Sequence, residues 1–298
     1  MNIILGISPD VVPTDVCRLV GRIGFVRSIV TCACFGNIPT LIPAGAACVP
    51  DDSMSVIVKD EEDHADRMTR QAKELLAKYA IACDEVFSLD CPADGLLSLA
   101  KETSASLIAI QSHQWGIVKS ALLGSVGRSL TINSDRSVLV AKHNVSAEGP
   151  LKAVFAFDGS EYANRCIDLL GALQPQGFSE VVIVIVDRPF IADSPLIALR
   201  REEAWRMNED ARTWALLECA QSAADRLVRR GISAHARCLS GSVSECLEQA
   251  CVDADAELLI VGAKGHSWLD RLFSGSTSLE AVLASSRSVL VLRPTDPA

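Results

Sequence analysis

The chain of 298 residues has few aromatic side chains and no excess of positive charge. Aromatic residues make up only 5%, so the core has to be built mainly from Ala, Leu, Val and Ile. The formal net charge is −9, with 28 basic and 37 acidic residues. Because an acidic chain repels phosphate backbones, we do not expect sequence-independent binding of nucleic acid. Hydrophobic residues at 49% and charged residues at 22% are typical of a globular protein.

Long apolar runs and targeting signals are also lacking. No stretch reaches the roughly 18 apolar residues of a membrane-spanning helix, and the first residues contain no basic segment followed by an apolar run. We therefore expect neither a membrane span nor a secretory signal. The eleven cysteines form no CxxC pair, so we expect reduced thiols that are mostly small buried side chains. These features together favour a cytoplasmic protein.

An internal repeat is present at an offset of 151 residues. Ser137–Val140 (SVLV) recurs as Ser288–Val291, and Gly124-Ser125 recurs as Gly275-Ser276. One offset serving separate segments indicates two copies of one structural unit. The predicted organisation is a first domain over 1–142, a polar linker over 143–150 and a second domain over 151–298.

Each copy alternates strand and helix patterns. The continuous β-branched run Glu180–Val186 is typical of a strand buried on both faces of a parallel sheet. Helical patterns cover 199–230 and 277–284. The alternation predicts an α/β protein with two doubly wound domains, each a five-stranded parallel sheet with helices on both faces.

Two further segments of the first copy have local predictions. The Pro- and Gly-rich segment Asn37–Lys59 is expected to be a long loop. The acidic cluster Asp60–Asp63 that follows it is expected to open a helix, because acidic residues favour the positive N-terminal end.

A glycine pattern in the second copy suits a phosphate. Gly262 and Gly265 follow a buried strand, and nine residues later Gly275-Ser276 opens a helix. Glycine permits close backbone approach, and a helix N-terminus offers unpaired N–H groups with about half a positive charge. Two such elements can cradle a polyphosphate. The alternative interpretation is a tight loop before an ordinary capped helix.

The spacing Gly262-x2-Gly265-x9-Gly275-Ser276 resembles the nucleotide-binding signature of the universal stress protein family. Asp158, after the first strand of this copy, matches the place of an Asp on the adenosine side of the family's site. The resemblance covers 151–295 by motif and 1–142 by repeat and strand order only. The chain is therefore identified as similar to tandem, two-domain universal stress proteins.

The resemblance implies a flavodoxin-like, ATP-binding domain that is often dimeric, through its last strand, and is made under stress. Asp158 would reach ribose or adenine, Val186 would face adenine, and the glycines and hydroxyls would hold phosphates. The implied nucleotide-binding residues are Asp158, Val186, Gly262, Gly265, Gly275, Ser276 and Thr277. Further residues of the same loops are Gly159, Ser160, Lys264, His266 and Ser278. For Asp158 the alternative is a cap or turn residue at the start of a helix.

The first copy departs from this pattern. At the 151-residue offset Gly262 and Gly265 correspond to Gln111 and Gln114, and Asp158 corresponds to Ile7. Two glutamine side chains would occupy the path of the phosphates. We therefore expect the first copy to be free of nucleotide, with a structural or partner-binding role.

No catalytic constellation is recognisable. The P-loop GxxxxGK[ST], the GxSxG elbow, HExxH and the kinase motifs are all missing, and no metal site is predicted. The favoured hypothesis is a sensor or regulatory protein that binds ATP, ADP or AMP, with Mg²⁺, in its second domain. It would form an intramolecular pseudo-dimer, with further association into a homodimer and an unidentified protein partner. Three alternatives stay open: a slow or autophosphorylating ATPase, a nucleotide-free scaffold for a partner or metabolite, and a thiol redox sensor.

Overall fold

The computed structural model describes residues 1–36, 51–112, 124–142, 145–187, 209–263 and 285–294. The chain divides into two compact units, Met1–Gly149 with Ser288–Ala298, and Pro150–Arg287. Within the described ranges, the helices are all too short or too polar to cross a membrane.

The first unit alternates strands and helices throughout. Its elements are β1 Asn2–Ile7, α1 Thr14–Ile23, β2 Ile29–Phe35, α2 Asp51–Ala77, β3 Cys83–Ser88, α3 Pro92–Glu102, β4 Leu107–Gln111, α4 Ser125–Asn133 and β5 Ser137–Ala141. The strands β1 to β5 run parallel in the order β3-β2-β1-β4-β5. Helix α1 packs against α2, and α3 packs against α4. Right-handed crossovers place these two pairs on opposite faces of the sheet.

The second unit repeats the scheme. Its elements are β6 Leu151–Phe157, α5 Glu161–Leu173, β7 Phe178–Asp187, α6 Glu209–Val228, β8 Ala234–Ser240, α7 Val243–Asp253 and β9 Leu258–Gly262. The strands are parallel in the order β9-β6-β7-β8. Every residue of β9 is buried, as expected for a parallel strand covered on both faces. The predicted α/β class with a mostly parallel sheet is confirmed.

The last strand of the chain, β10 (Ser288–Leu292), belongs to the first unit. It pairs antiparallel with β5, with Leu290 opposite Leu139. Ser288 Oγ accepts a hydrogen bond from Lys142 N at 3.0 Å, and Ser137 Oγ accepts one from Arg293 N at 3.1 Å. The two strands that match in the repeat therefore pair with each other. By sequence this strand lies in the second copy of the repeat, over 151–298, so β10 joins the end of the second copy to the sheet of the first unit.

Helix α2 begins earlier than the sequence analysis expected. It starts at Asp51, so the part of the predicted Asn37–Lys59 loop from Asp51 onward is helical. The acidic cluster Asp60–Asp63 consequently lies inside the helix rather than at its start. The proline- and glycine-rich composition ends at Pro50, and two acidic residues in the first turn suit the positive end of a helix.

Two other predicted elements lie wholly or partly beyond the described residues. The helix over 277–284 lies outside them. Of the helical pattern over 199–230, the structure describes α6, Glu209–Val228.

Candidate functional site

The topological switch point of the second unit brings two of the predicted residues together. Strands β6 and β9 are neighbours and run parallel, with Phe155 opposite Ile260. The chain runs from β6 to β7 and β8 on one side of β6 and then crosses to β9 on the other side. In such sheets the ligand crevice lies beyond the carboxyl ends of these strands. Asp158 follows β6 and Gly262 ends β9, so both lie at this edge.

A short loop joins β6 to α5 and holds Asp158. Its carboxylate Oδ1 accepts a hydrogen bond from Ser160 N at 3.0 Å. Gly159 has φ of +75°, which glycine adopts without a steric penalty. Ser160 is the N-cap of α5, and its Oγ accepts a hydrogen bond from Ala163 N at 3.0 Å. Asp158 therefore has the turn role that the sequence allowed, and a carboxylate with two oxygens can accept further bonds.

Gly262 is buried and closely packed against α5. A Cβ at this position would lie 3.1 Å from Cys166 Sγ and 3.2 Å from Tyr162 Cε1. The guanidinium of Arg165 lies over the Tyr162 ring, 5.5 Å from the ring centroid, which is a cation–π distance. A larger residue at 262 would therefore have to displace the Cys166 or Tyr162 side chain by a few tenths of an ångström.

The end of β7 lies at the same edge of the sheet, because β7 runs parallel to β6. Val186 is half-buried there, and the next residue, Asp187, is buried. Both carboxylate oxygens of Asp187 accept from Arg212 of α6, with Nε 3.0 Å from each oxygen and Nη2 2.6 Å from Oδ2. This fork-like pairing is the strong form of a charged hydrogen bond. Gly241 N donates to the carbonyl of Asp187 at 3.2 Å, which ties the end of β8 to the same residue.

The Arg212–Asp187 pair was not singled out from the sequence. The available signal was an acidic residue closing the buried run EVVIVIV, since a carboxylate in that position needs a cationic partner. The partner itself carries no local signal, because it lies 25 residues further along the chain.

Several predicted phosphate-binding residues lie outside the described part of the chain. These are Lys264, Gly265, His266, Gly275, Ser276, Thr277 and Ser278. The structure describes the remaining predicted residues, which are Asp158, Gly159, Ser160, Val186 and Gly262.

The strand registers correct the sequence correspondence at the edge of the first unit. Leu107 pairs with Ile3, whereas its repeat partner Leu258 pairs with Ala153. β1 and β6 are therefore offset by 150 residues rather than 151, and the counterpart of Asp158 is Ser8, not Ile7. Ser8 Oγ accepts from the N–H two residues on, that of Asp10, at 3.3 Å, as Asp158 does. A neutral hydroxyl thus replaces the carboxylate.

Gln111, the counterpart of Gly262, fills the corresponding place in the first unit. Its Oε1 accepts from Asp15 N at 2.9 Å and Val16 N at 3.3 Å, and its Nε2 donates to Val12 O at 3.0 Å. Helix α1 has Pro13 at its N-cap, without a side-chain cap of its own. The Gln111 amide therefore satisfies the N-terminal N–H groups of α1. Gln114 lies outside the described residues.

Eight of the described thiol groups do not have the property that the redox alternative requires. Burial raises the pKa of Cys17, Cys34, Cys166 and Cys251 to about 12. Burial also raises the pKa of Cys32, Cys83, Cys238 and Cys246. A reactive sensor thiol needs a lowered pKa. Within the described ranges there is also no cluster of His, Cys, Asp and Glu suited to a metal ion.

Comparison with solved structures finds the same fold in other proteins. Over the whole chain the structure resembles a universal stress protein from Archaeoglobus fulgidus DSM 4304, with 17% identity, a TM-score of 0.64 and coverage of 99% of this chain and 97% of that one. It also resembles a functionally unknown protein from Pseudomonas aeruginosa PAO1, with 16% identity, a TM-score of 0.59 and coverage of 98% and 92%. A universal stress protein solved in complex with cAMP matches 50% of this chain and 100% of its own, at 20% identity and a TM-score of 0.36.

The sequence comparisons agree with the repeat. None of the curated proteins compared with the chain matches it. The sequence model described as the universal stress protein family matches twice, over residues 46–142 and 151–293. These two matches cover most of the chain, so it belongs to the universal stress protein family and carries two copies of that domain.

Proposed function

We propose that this protein is a regulatory, stress-response protein that binds one adenine nucleotide in its second unit. One observation carries the proposal: the Asp158 loop and Gly262 lie at the switch-point edge where the sequence continues into Gly265-x9-Gly275-Ser276. That edge is where nucleotides bind in doubly wound sheets. The family membership of the segment supports the same conclusion.

The proposed roles follow the chemistry of each side chain. Asp158 accepts hydrogen bonds from ribose or adenine, and half-buried Val186 offers an apolar wall or backbone groups to the base. Backbone N–H groups at the glycines, together with hydroxyl groups, hold the phosphates. The phosphate-binding set is Gly262, Gly265, Gly275, Ser276 and Thr277, with Gly159, Ser160, Lys264, His266 and Ser278 in the same loops.

The nucleotide is proposed to be ATP, ADP or AMP, with Mg²⁺ accompanying a polyphosphate. In this proposal the phosphates bind Mg²⁺ directly, as in other nucleotide sites.

The first unit is proposed to be free of nucleotide and to act as a structural or partner-binding half. Gln111 occupies the place of Gly262 and uses its amide on α1. Ser8, in the place of Asp158, is neutral. Binding should therefore have a stoichiometry of one nucleotide per chain.

Calorimetry with ATP, ADP and AMP tests the proposal. Wild type should bind one of them, and Gly275→Val should abolish binding because a branched side chain blocks the approach of phosphate. The matched control is Gly124→Val at the equivalent position of the first unit, where an added Cβ meets no described atom within 4 Å. Absence of binding by wild type at millimolar nucleotide would overturn the proposal, and so would equal loss of affinity in both variants.

Slow hydrolysis or autophosphorylation is the second candidate function. Phosphoryl transfer needs a placed base or water-orienting group and a cation on the γ-phosphate. Steady phosphate release that Asp158→Ala or Ser276→Ala abolishes would establish it. Without such release, the protein is a binding module.

We further propose a reducing compartment, the cytoplasm, because the ten cysteines in the described residues are all free thiols. Association into a homodimer stays a prediction, which light scattering of the purified protein with and without nucleotide tests.

A further inference from the structure

We infer that Asn164 and Arg226 are positioning residues that hold the Asp158 loop in the geometry a nucleotide needs. This inference rests on the proposed function. The two side chains form a relay from helix α6 through helix α5 to the carbonyls of the loop. Neither residue belongs to the glycine motif or to the set that the family resemblance implies.

The relay begins at the loop. Asn164 lies one turn into α5, and its Nδ2 donates to Ser160 O at 2.9 Å and to Gly159 O at 3.4 Å. The backbone N–H of Asn164 donates to the same Ser160 carbonyl at 3.0 Å. Ser160 N in turn donates to Asp158 Oδ1 at 3.0 Å. The asparagine amide thus fixes the peptide groups whose N–H holds the carboxylate.

The other end of the relay is a charged anchor. Arg226 Nη1 donates to Asn164 Oδ1 at 2.7 Å, and Nη2 donates to Asn164 O at 3.0 Å. Arg226 also forms an ion pair with Asp168, one turn further along α5. Both bonds to Asn164 use a charged donor, which makes them stronger than bonds between neutral groups. They also fix which end of the Asn164 amide faces the loop.

Packing at Gly159 brings α6 close to the loop as well. With φ at +75°, a Cβ on Gly159 would lie 3.6 Å from Cys219 Sγ of α6. The loop therefore lies near α6 at Gly159, with room for a Cβ at van der Waals distance, and it is held to α6 through Asn164 and Arg226. A carboxylate held in this way loses less conformational freedom when a ligand binds, so part of the affinity resides in residues that do not touch the nucleotide.

Amide hydrogen exchange on the full chain without nucleotide tests the relay itself. Asn164→Asp keeps the acceptor for Arg226 but replaces the donor to Ser160 O with an oxygen, and Arg226→Gln removes the charged fork. We expect the amides of residues 160–163 to exchange about tenfold faster in both variants, as for loss of a hydrogen bond to a charged network. Amides of β9 should be unchanged, which verifies that the unit is folded.

The matched control is Arg237→Gln. It breaks the Arg237–Asp253 ion pair, 3.0 Å long and half-exposed, in the same unit, and it should leave exchange at 160–163 unchanged. Unaltered exchange in Asn164→Asp and Arg226→Gln, or equal acceleration in the control, would overturn the inference.

Nucleotide binding then tests the functional consequence. As a single substitution, Asn164→Asp should weaken the affinity for ATP or ADP about tenfold. Added to a chain that already carries Asp158→Ala, it should cause no further loss, because the relay acts through the Asp158 carboxylate. Additive losses would contradict action through Asp158. If wild type binds no nucleotide, the proposed function fails, and the exchange experiment decides separately whether the relay holds the loop.

Discussion

Asp187, at the carboxyl end of β7, is buried and receives a fork of hydrogen bonds from Arg212 of α6, the shortest 2.6 Å long. Burying a charged group costs free energy unless the group is paired and hydrogen-bonded. Asp187→Asn should lower the free energy of unfolding by about 2–3 kcal/mol, less than for a fully buried pair because Arg212 can still reach water. Urea denaturation measures the loss. Arg237→Gln, which breaks a half-exposed pair, should change it far less because solvent screens the charges of such a pair, and a similar effect of the two variants would contradict the assignment.

Gln111 acts as a substitute cap for α1. Replacing it with Ala leaves the N–H groups of Asp15 and Val16 without this acceptor, so we expect a loss of about 1–2 kcal/mol in the free energy of unfolding. The control is Gln221→Ala, which removes an exposed bond within α6 to Asp225. If chemical denaturation gave equal values for the two variants, Gln111 would have no capping role.

The substitution Gly262→Ala tests how closely β9 and α5 pack at the switch point. Ala at this position brings a methyl group to 3.1 Å from Cys166 Sγ, so overpacking should cost about 1–3 kcal/mol. Cys166→Ala in the same chain should recover part of this loss, because it removes the nearest atom. Thermal unfolding of the single and double variants measures both effects. Gly124→Ala, where the added methyl group meets no described atom within 4 Å, is the control for overpacking and should cost no more than the loss of a glycine N-cap.

Truncation of the chain tests whether strand β10 is a structural part of the first unit. Ending the chain at Arg287 removes the strand that pairs with β5 and exposes the edge of β5, whose five residues are all buried. Exposed apolar edges promote aggregation, so we expect a lower melting temperature and larger particles in light scattering. Ending the chain at Pro294 keeps β10 and should have little effect. Unchanged behaviour of the shorter chain would show that β10 is dispensable.

The buried thiols predict a decline of stability in alkali. The pKa of Cys166 is raised by burial from 9.0 to about 12, so the folded state favours the neutral thiol. The contribution of the neutral Cys166 thiol to the free energy of unfolding is therefore complete below pH 9 and is lost as the pH rises toward 12. The free energy of unfolding should fall over this window, and it should fall less steeply in Cys166→Ala than in wild type. Parallel pH profiles would contradict the raised pKa.

Local patterns were enough to predict much of the second unit. The run Glu180–Val186 predicted a buried strand and lies within β7, and the turn role that the sequence left open for Asp158 at the start of a helix is the one that the structure finds. Both features depend on contacts within a few residues along the chain, which periodicity and capping preferences report directly.

Other features needed the third dimension. A constant repeat offset matches Asp158 to Ile7, but the strand registers match it to Ser8. The reason is that the chain from β1 to β4 is one residue shorter than the chain from β6 to β9, so the offset is not the same for all strands. The start of α2 was also misplaced, since acidic residues favour a helix start but occur in its interior as well.

The sequence by itself determined the two-copy organisation, the α/β class and the loop that presents Asp158, because each is written in repeats or in short-range preferences. The tertiary structure alone decided that Gln111 caps a helix 96 residues away, that Arg226 supports the Asp158 loop through Asn164, and that β10 pairs with β5. Hydrogen-bonding groups carry no sign of their distant partners along the chain. Which donor meets which acceptor is settled only when packing of the apolar faces fixes the distances between elements.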